Sequence, residues 1–235
     1  YGTFFMYENA DRYHRLLFAA RTAGITVGAA TCFLVWRWSR RRYGPSGGLV
    51  SLAASTLSPT MIAHSQLVTT DVISGLAVLL LALALLHYLH RPSSLRALLI
   101  ASAFGFAVLC KFSAPIFAPF VLAAPAAAFF YPGRASQSRP RPSLLAFHLA
   151  LIVFAAWLTI VAGYLGRKLS FNRDFRPGSR VLLALKPLTD FLLLPEDFIV
   201  GLDQQLYDAE IQEFQNNNYL FGQNYSGIKW YYYPA

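Results

Sequence analysis

Residues 71–89 read DVISGLAVLLLALALLHYL, one carboxylate followed by eighteen residues without Asp, Glu, Lys or Arg. A run of this kind is close to the roughly 20 apolar residues needed to cross a ~30 Å hydrocarbon layer. Asp71 is also the sole acid between Arg12 and Arg173. A carboxylate at the edge of a hydrocarbon-length segment is costly to desolvate, so it is held at the interface or faces a polar cavity, where such groups often carry function.

On either side of that run, the 235 residues are 56% hydrophobic and only 13% charged, and the apolar residues come in blocks rather than in alternating faces. The net charge of +9 does not imply nucleic acid, because the bases lie in short clusters between apolar blocks instead of along one polar face. The pattern predicts an all-α, polytopic membrane helical bundle of about six transmembrane helices, at 15–36, 47–64, 70–89, 95–110, 113–131 and 144–166. Gly, Ser, Thr and Pro dilute the first, second, fourth and fifth, which a bundle tolerates where neighbours supply packing and hydrogen bonds. Pro115, Pro119 and Pro125 mark the fifth as kinked. Cys32 and Cys110 fall inside apolar blocks, where a free thiol acts as a small hydrophobe.

The connections set the orientation. Arg37, Arg40, Arg41, Arg42, Arg91, Arg96, Arg134, Arg139 and Arg141 fall on one side, against Lys111 alone in the short turns of the other. The positive-inside rule makes the arginine side cytoplasmic and puts both chain ends, with His64, Asp71 and Lys111, on the outer side. The domain division expected is an outer juxtamembrane segment at 1–14, a six-helix region at 15–166, and an extracytoplasmic loop at 167–235. That last segment carries seven bases, most of the acids and an Asn/Tyr-rich stretch, with interfacial pieces such as VLLALKPLTDFLLLP. Tyr1 and the WYYYPA run at the end are expected to be cut from something longer, or processed.

The stretch LSPTMIAHSQLVTTDVISGLAVLLLALAL resembles the third and fourth helices of the protein O-mannosyltransferase and aminoarabinose transferase group, membrane glycosyltransferases of the type-C fold. FFMYENADRYHRLLFAAR is similar to the segment leading into their second helix, and KFSAPIFAPF to the start of the sixth. LLPEDFIVGL and YLFGQNYSGIKWYYYPA resemble the long outer loop and its aromatic end. The resemblance implies sugar transfer from a polyprenyl-phosphate donor to a protein or lipid acceptor, in what is expected to be a bacterial inner membrane. It also implies that the loop carrying the family's general base precedes Tyr1, so that this chain holds the central part of the catalytic module. No nucleic-acid partner and no cofactor are implied.

Such chemistry needs a carboxylate to take the acceptor proton and cations to stabilise the leaving phosphate. Asp71 matches the family's acid at the outer end of the fourth helix, and is taken as a site-shaping catalytic residue; a plain helix cap near Val72 is the alternative, and both roles can coexist. Lys111 is placed to meet a lipid phosphate at headgroup depth, against the reading of a snorkelling interface lysine. Arg12, Arg15 and Arg21 resemble the family's basic residues before the second helix, one contacting phosphate and the others anchoring the interface. His64 is expected to hydrogen-bond in the turn or line the cavity, since one His and one Asp are too few for a closed metal site. His87, His90 and His148 are expected at the interface. Tyr219, Asn224 and Trp230 offer stacking faces and amides for sugar or acceptor, against an aromatic belt, which is the preferred reading for Tyr231 to Tyr233. P-loop, Rossmann, CxxC and HExxH patterns are absent from the sequence.

The rival is a non-catalytic membrane subunit that keeps this scaffold and packs against other subunits. A transporter ranks below both, for want of internal repeats and broken-helix pairs. The topology is directly testable. Cysteines placed at Ser136 and Ser226 are predicted to react from opposite sides of the membrane, and labelling of both by an impermeant reagent outside intact cells contradicts six spans.

Overall fold

A computed structural model describes residues 2–130, 142–165, 175–215, 217–220 and 223–226. The chain forms two compact units, Tyr1–Val153 and Phe154–Ala235. The first holds α1 (Gly2–Glu8), a 3-10 turn (Ala10–Arg12), α2 (Tyr13–Thr56), α3 (Pro59–Gln66), α4 (Asp71–His90), α5 (Ser94–Cys110), a second 3-10 turn (Ala114–Phe117) and α6 (Ala118–Phe130). α7 (Pro142–Gly163) runs from the first unit into the second, which adds α8 (Arg180–Leu192), α9 (Glu196–Gln215), β1 (Asn217–Leu220) and β2 (Gln223–Ser226).

α2 is two arms, not one rod. Gly44 sits at φ 79°, ψ −177°, a conformation that L side chains rarely adopt, and Pro45 next to it has no N–H to offer the helix. The arms fold back on each other: the Ser39 hydroxyl lies 3.2 Å from the Gly47 carbonyl and 2.6 Å from the Ser51 hydroxyl. Small residues make this close approach possible. A Cβ on Gly48 would stand 2.7 Å from Arg40 Cβ, and one on Gly24 would stand 2.8 Å from the Ser65 carbonyl oxygen. Contact of Gly24 and Gly28 with Ser65 carries the return path down through α3.

The structure corrects the sequence reading at the first two spans. Residues 37–46 are expected as a connection between spans, yet Arg37 to Arg42 remain helical and the reversal is confined to Gly44 and Pro45, because arginine is a good helix former and nothing before Gly44 breaks the helix. The span expected at 47–64 is likewise two helices. The second arm ends with the Leu57 N–H bonded to the Ala53 carbonyl, and α3 starts afresh with Ser58 accepting from the Met61 N–H at 3.4 Å and Pro59 in the first turn, a favourable start for a new helix. The span at 113–131 also begins differently, as a 3-10 turn holding Pro115, with Pro119 in the first turn of α6 and Pro125 inside it.

Among the described residues, three helical stretches are long and apolar enough to cross a membrane: Ala10–Thr56, which takes in both arms of α2, Asp71–His90 and Pro142–Gly163; α5 and Ala114–Ala128 are apolar but shorter. The core of the first unit lies between α4, α5, α6 and α7, where Leu81, Tyr88, Ile100, Val121 and Ile152 pack with Ala84, Ala97 and Ala124. Alanines at these positions let the helices approach closely without a hydrophobic drive between them in lipid. Leu95, Leu99, Phe120 and Phe147 point outward and are exposed, an apolar surface that a water-soluble domain would bury. His148, expected at the interface, is instead fully buried: its Nδ1 lies 2.9 Å from the Tyr88 hydroxyl and its Nε2 3.4 Å from the Ser94 hydroxyl. That bonding offsets the cost of burying the ring.

In the second unit, carboxylates of α9 hold the start of α8. Asp203 accepts from the Gly178 and Ser179 N–H groups at 2.8 and 3.0 Å, and Glu210 from those of Arg180 and Val181, so the unpaired amides of the α8 N-terminus find acceptors. Val181, Leu183, Leu185 and Leu188 remain exposed on α8, and Leu182 is buried. β1 pairs antiparallel with β2, Asn218 opposite Tyr225.

The Gly44 geometry makes a stability prediction. Gly44→Ala is expected to cost about 1–3 kcal/mol, because it holds an L side chain at positive φ with extended ψ, a region essentially reserved for glycine. Gly75→Ala, where a Cβ would meet nothing within 4 Å, is expected to be neutral or to gain up to ~1 kcal/mol of helix propensity. Unfolding in mixed detergent measures both, and equal effects would remove the kink as the cause.

Candidate functional site

Asp71 is the first residue of α4, with Thr70 at the N-cap making no side-chain cap bond. Its carboxylate turns across to the next turn of the bundle, where Lys111 at the end of α5 donates from Nζ to Oδ1 at 2.8 Å. Lys111 is fixed there by its own N–H, bonded to the Ala107 carbonyl, and by its carbonyl, which accepts from Ala114. Asp71 thus forms an ion pair with a residue forty positions away in sequence, and the positive helix end also favours an acid at this position. Both side chains are about two-fifths exposed, so the pair contributes modestly in water-like surroundings.

His64, in the last turn of α3, completes the cluster. Its Nδ1 lies 3.2 Å from Asp71 Oδ2, within ion-pair distance but out of hydrogen-bond alignment, and this buried nitrogen has no hydrogen-bond partner among the described residues. No group of three or more His, Cys, Asp or Glu side chains converges among the described residues.

Asp71 and His64 line a cavity of about 790 Å³ between the two arms of α2, α3 and α4, together with Ser51, Ser55, Ser58 and Thr60. Thr31, on the opposite wall, donates to the Val27 carbonyl, Ser51 to that of Gly47, and Ser55 to that of Ser51. Thr31 and Ser55, with their protons committed to helix carbonyls, keep lone pairs for the cavity, while the Ser51 hydroxyl is shared with that of Ser39. The wall is accordingly rich in acceptors and suits a ligand rich in hydroxyl donors. Gly75 leaves open space beside Asp71. Met61 also lines a second cavity of about 640 Å³ on the other face of the hairpin, walled by Ile25, Cys32, Phe33, Trp36, Leu52 and Ile62, which is apolar.

The residues singled out in the sequence do not all meet. Asp71, His64 and Lys111 come together; Lys111 stands behind Asp71 and is not among the cavity's lining residues. Arg12, in the first 3-10 turn, and Arg15, in the first turn of α2, are exposed and make no ion pair with this cluster among the described residues. Tyr219 falls in β1 and Asn224 in β2, opposite one another in the hairpin register; Trp230 lies outside the described residues. The serine face was not recognised from sequence, although Ser51 and Ser55 recur at the helical spacing i, i+4 that puts them on one side, and Ser58 joins them only through the break that restarts the chain as α3.

These features define an integral membrane protein of helical build whose one acid among the apolar spans borders a polar cavity. The family model for dolichyl-phosphate-mannose-protein mannosyltransferase matches residues 13–160, and the chain belongs to that family. It is thus a membrane glycosyltransferase of the mannosyltransferase type, and the match takes in His64, Asp71 and Lys111 while ending before the hairpin. No curated protein and no solved structure matches the chain.

The ion pair makes a measurable claim. In a double-mutant cycle of Asp71→Asn and Lys111→Met, the coupling energy for unfolding is expected at about 0.5–1 kcal/mol, as for a half-exposed pair. A coupling of zero would show that the two side chains do not hold the ends of α4 and α5 together.

Proposed function

We propose that this chain forms the donor-receiving part of a type-C glycosyltransferase that moves a sugar from a polyprenyl phosphate to a protein or lipid acceptor. The observation that carries this reading is the charged cluster of Asp71, His64 and Lys111 on a cavity lined by acceptor hydroxyls, with an apolar cavity across the same hairpin. The hydroxyl-lined cavity suits the sugar, and the apolar one suits the first isoprene units. Asp71 shapes the site and holds Lys111, which keeps two of its three ammonium protons for a phosphate oxygen. His64 Nδ1, buried and unbonded among the described residues, is placed to meet a sugar hydroxyl. Arg12 or Arg15 adds a second cation near the headgroup, and the segment 167–235, with Tyr219, Asn224 and Trp230, serves the acceptor side beyond the membrane. The arginine distribution supports an orientation with the Asp71 end outward, in what this reading takes to be a bacterial inner membrane.

A charge-assisted hydrogen bond to phosphate is worth about 1.5–3 kcal/mol, and Lys111→Met and Arg12→Gln are each expected to weaken binding of a polyprenyl-phosphate sugar by that order. Asp71→Asn is expected to lower turnover far more than folded yield. Titration of the donor in detergent at fixed ionic strength is the measurement. Unchanged affinity in both cation variants removes them as the phosphate clamp, and no donor binding by the unsubstituted protein favours the subunit reading, in which apolar helix faces serve assembly.

A further inference from the structure

The opposite end of the α2–α4–α5 bundle carries a second polar site. A cavity of about 510 Å³ is lined by Arg42, Arg91 and Arg96, by His87 and His90, and by Trp38, Tyr43 and Leu86. These residues come from the end of the first α2 arm, the last turn of α4 and the start of α5, so the convergence is three-dimensional and not one sequence run. Arg96 is committed to the end of α4, its guanidinium donating to the His87 and Arg91 carbonyls at 3.0 and 2.6 Å and so closing the negative end of that helix. Arg42 and Arg91 make no ion pair among the described residues.

Within the first unit, no carboxylate among the described residues pairs with them. Between Arg12 and Arg173 the sole acid is Asp71, which begins α4 while this cavity is at its end, about 29 Å away at 1.5 Å per helical residue. Glu8 and Asp11 precede the far end of the first α2 arm. The general excess of bases on one side of a membrane protein accounts for their number, but not for their gathering round a cavity with an indole and a phenol at its edge. Trp and Tyr sit well at headgroup depth, and basic pockets between membrane helices take acidic headgroups.

We propose that this cavity binds the phosphodiester of an anionic phospholipid in the leaflet at the arginine-rich end, with Arg42 and Arg91 contacting the phosphate and Trp38 beside the glycerol. The site is separate from Asp71 and does not rest on the reading of that end. Trp38 supplies the probe. In the full chain with the other tryptophans changed to Phe, phosphatidylglycerol with brominated acyl chains is expected to quench Trp38 more strongly than brominated phosphatidylcholine at equal mole fraction. Arg42→Gln with Arg91→Gln should reduce the apparent preference by roughly tenfold or more, from the attraction each base contributes near a charged surface. Arg42→Lys with Arg91→Lys should retain much of it, which separates loss of charge from loss of fold. Equal quenching by the two lipids, or a preference unchanged in the Gln variant, overturns the proposal. Loss of the preference on adding inorganic phosphate at constant ionic strength also overturns it, by showing a site for a soluble phosphate rather than a lipid.

Discussion

The contact between Asp71 and Lys111 joins the start of α4 to the end of α5 at the edge of an apolar bundle. Both side chains are about two-fifths exposed, so the pair acts by fixing the position of the two helix ends more than by its own energy. α4 and α5 also share the alanine-lined core around Tyr88 and Ile100, so the pair closes one end of a helical hairpin that is already packed along its length. Asp71 is thereby held on the cavity wall rather than turned back onto its own helix. His64 can then sit opposite, with its nitrogen close to the carboxylate but not satisfied by it.

The cavity exists because the partner hairpin is interrupted. The return path still packs on the first arm of α2, through Ser65 against Gly24 and Gly28, but it does so with a break in it. Ser58 and Pro59 restart the chain as α3, and the break leaves space in front of Ser51, Ser55 and Asp71. Glycines compensate where contact must be close: Gly24 and Gly28 against Ser65, Gly48 against Arg40. The same sequence choices therefore tighten one part of the hairpin and open another. Membrane helices without a hydrophobic drive between them depend on such steric detail.

Much of the helical build was legible because apolar blocks of hydrocarbon length carry their own signal, and α4 and α7 begin and end within a few residues of where DVISGLAVLLLALALLHYL and the 144–166 run place them. Arginine clusters located the reversal after the first arm but exaggerated it, since charge marks a membrane surface without breaking a helix. The interruption at Leu57 to Ser58 was written in Ser58-Pro59, a start signal that the surrounding apolar residues concealed. Asp71, His64 and Lys111 were each visible singly. Their pairing was also available in principle, since Asp71 has no other acid and Lys111 no other base for company in the short turns at that end. The burial of His148 was not legible, because only the packing of α7 on Tyr88 makes a polar ring near a helix end an interior group. The hairpin of β1 and β2 was missed, although two polar and aromatic runs separated by Phe221 and Gly222 carry a recognised hairpin spacing.

The central claim is that the cavity beside Asp71 receives the donor's sugar ring. Photo-crosslinking of the protein in detergent with a polyprenyl-phosphate sugar that carries a diazirine on its sugar ring, followed by peptide mapping, tests it most directly. The account predicts label on residues of that wall, Ser55, Met61, His64 or Gly75, suppressed by unlabelled donor. Competable label confined to the arginine-rich end of α4, with none on α3 or the start of α4, would contradict it.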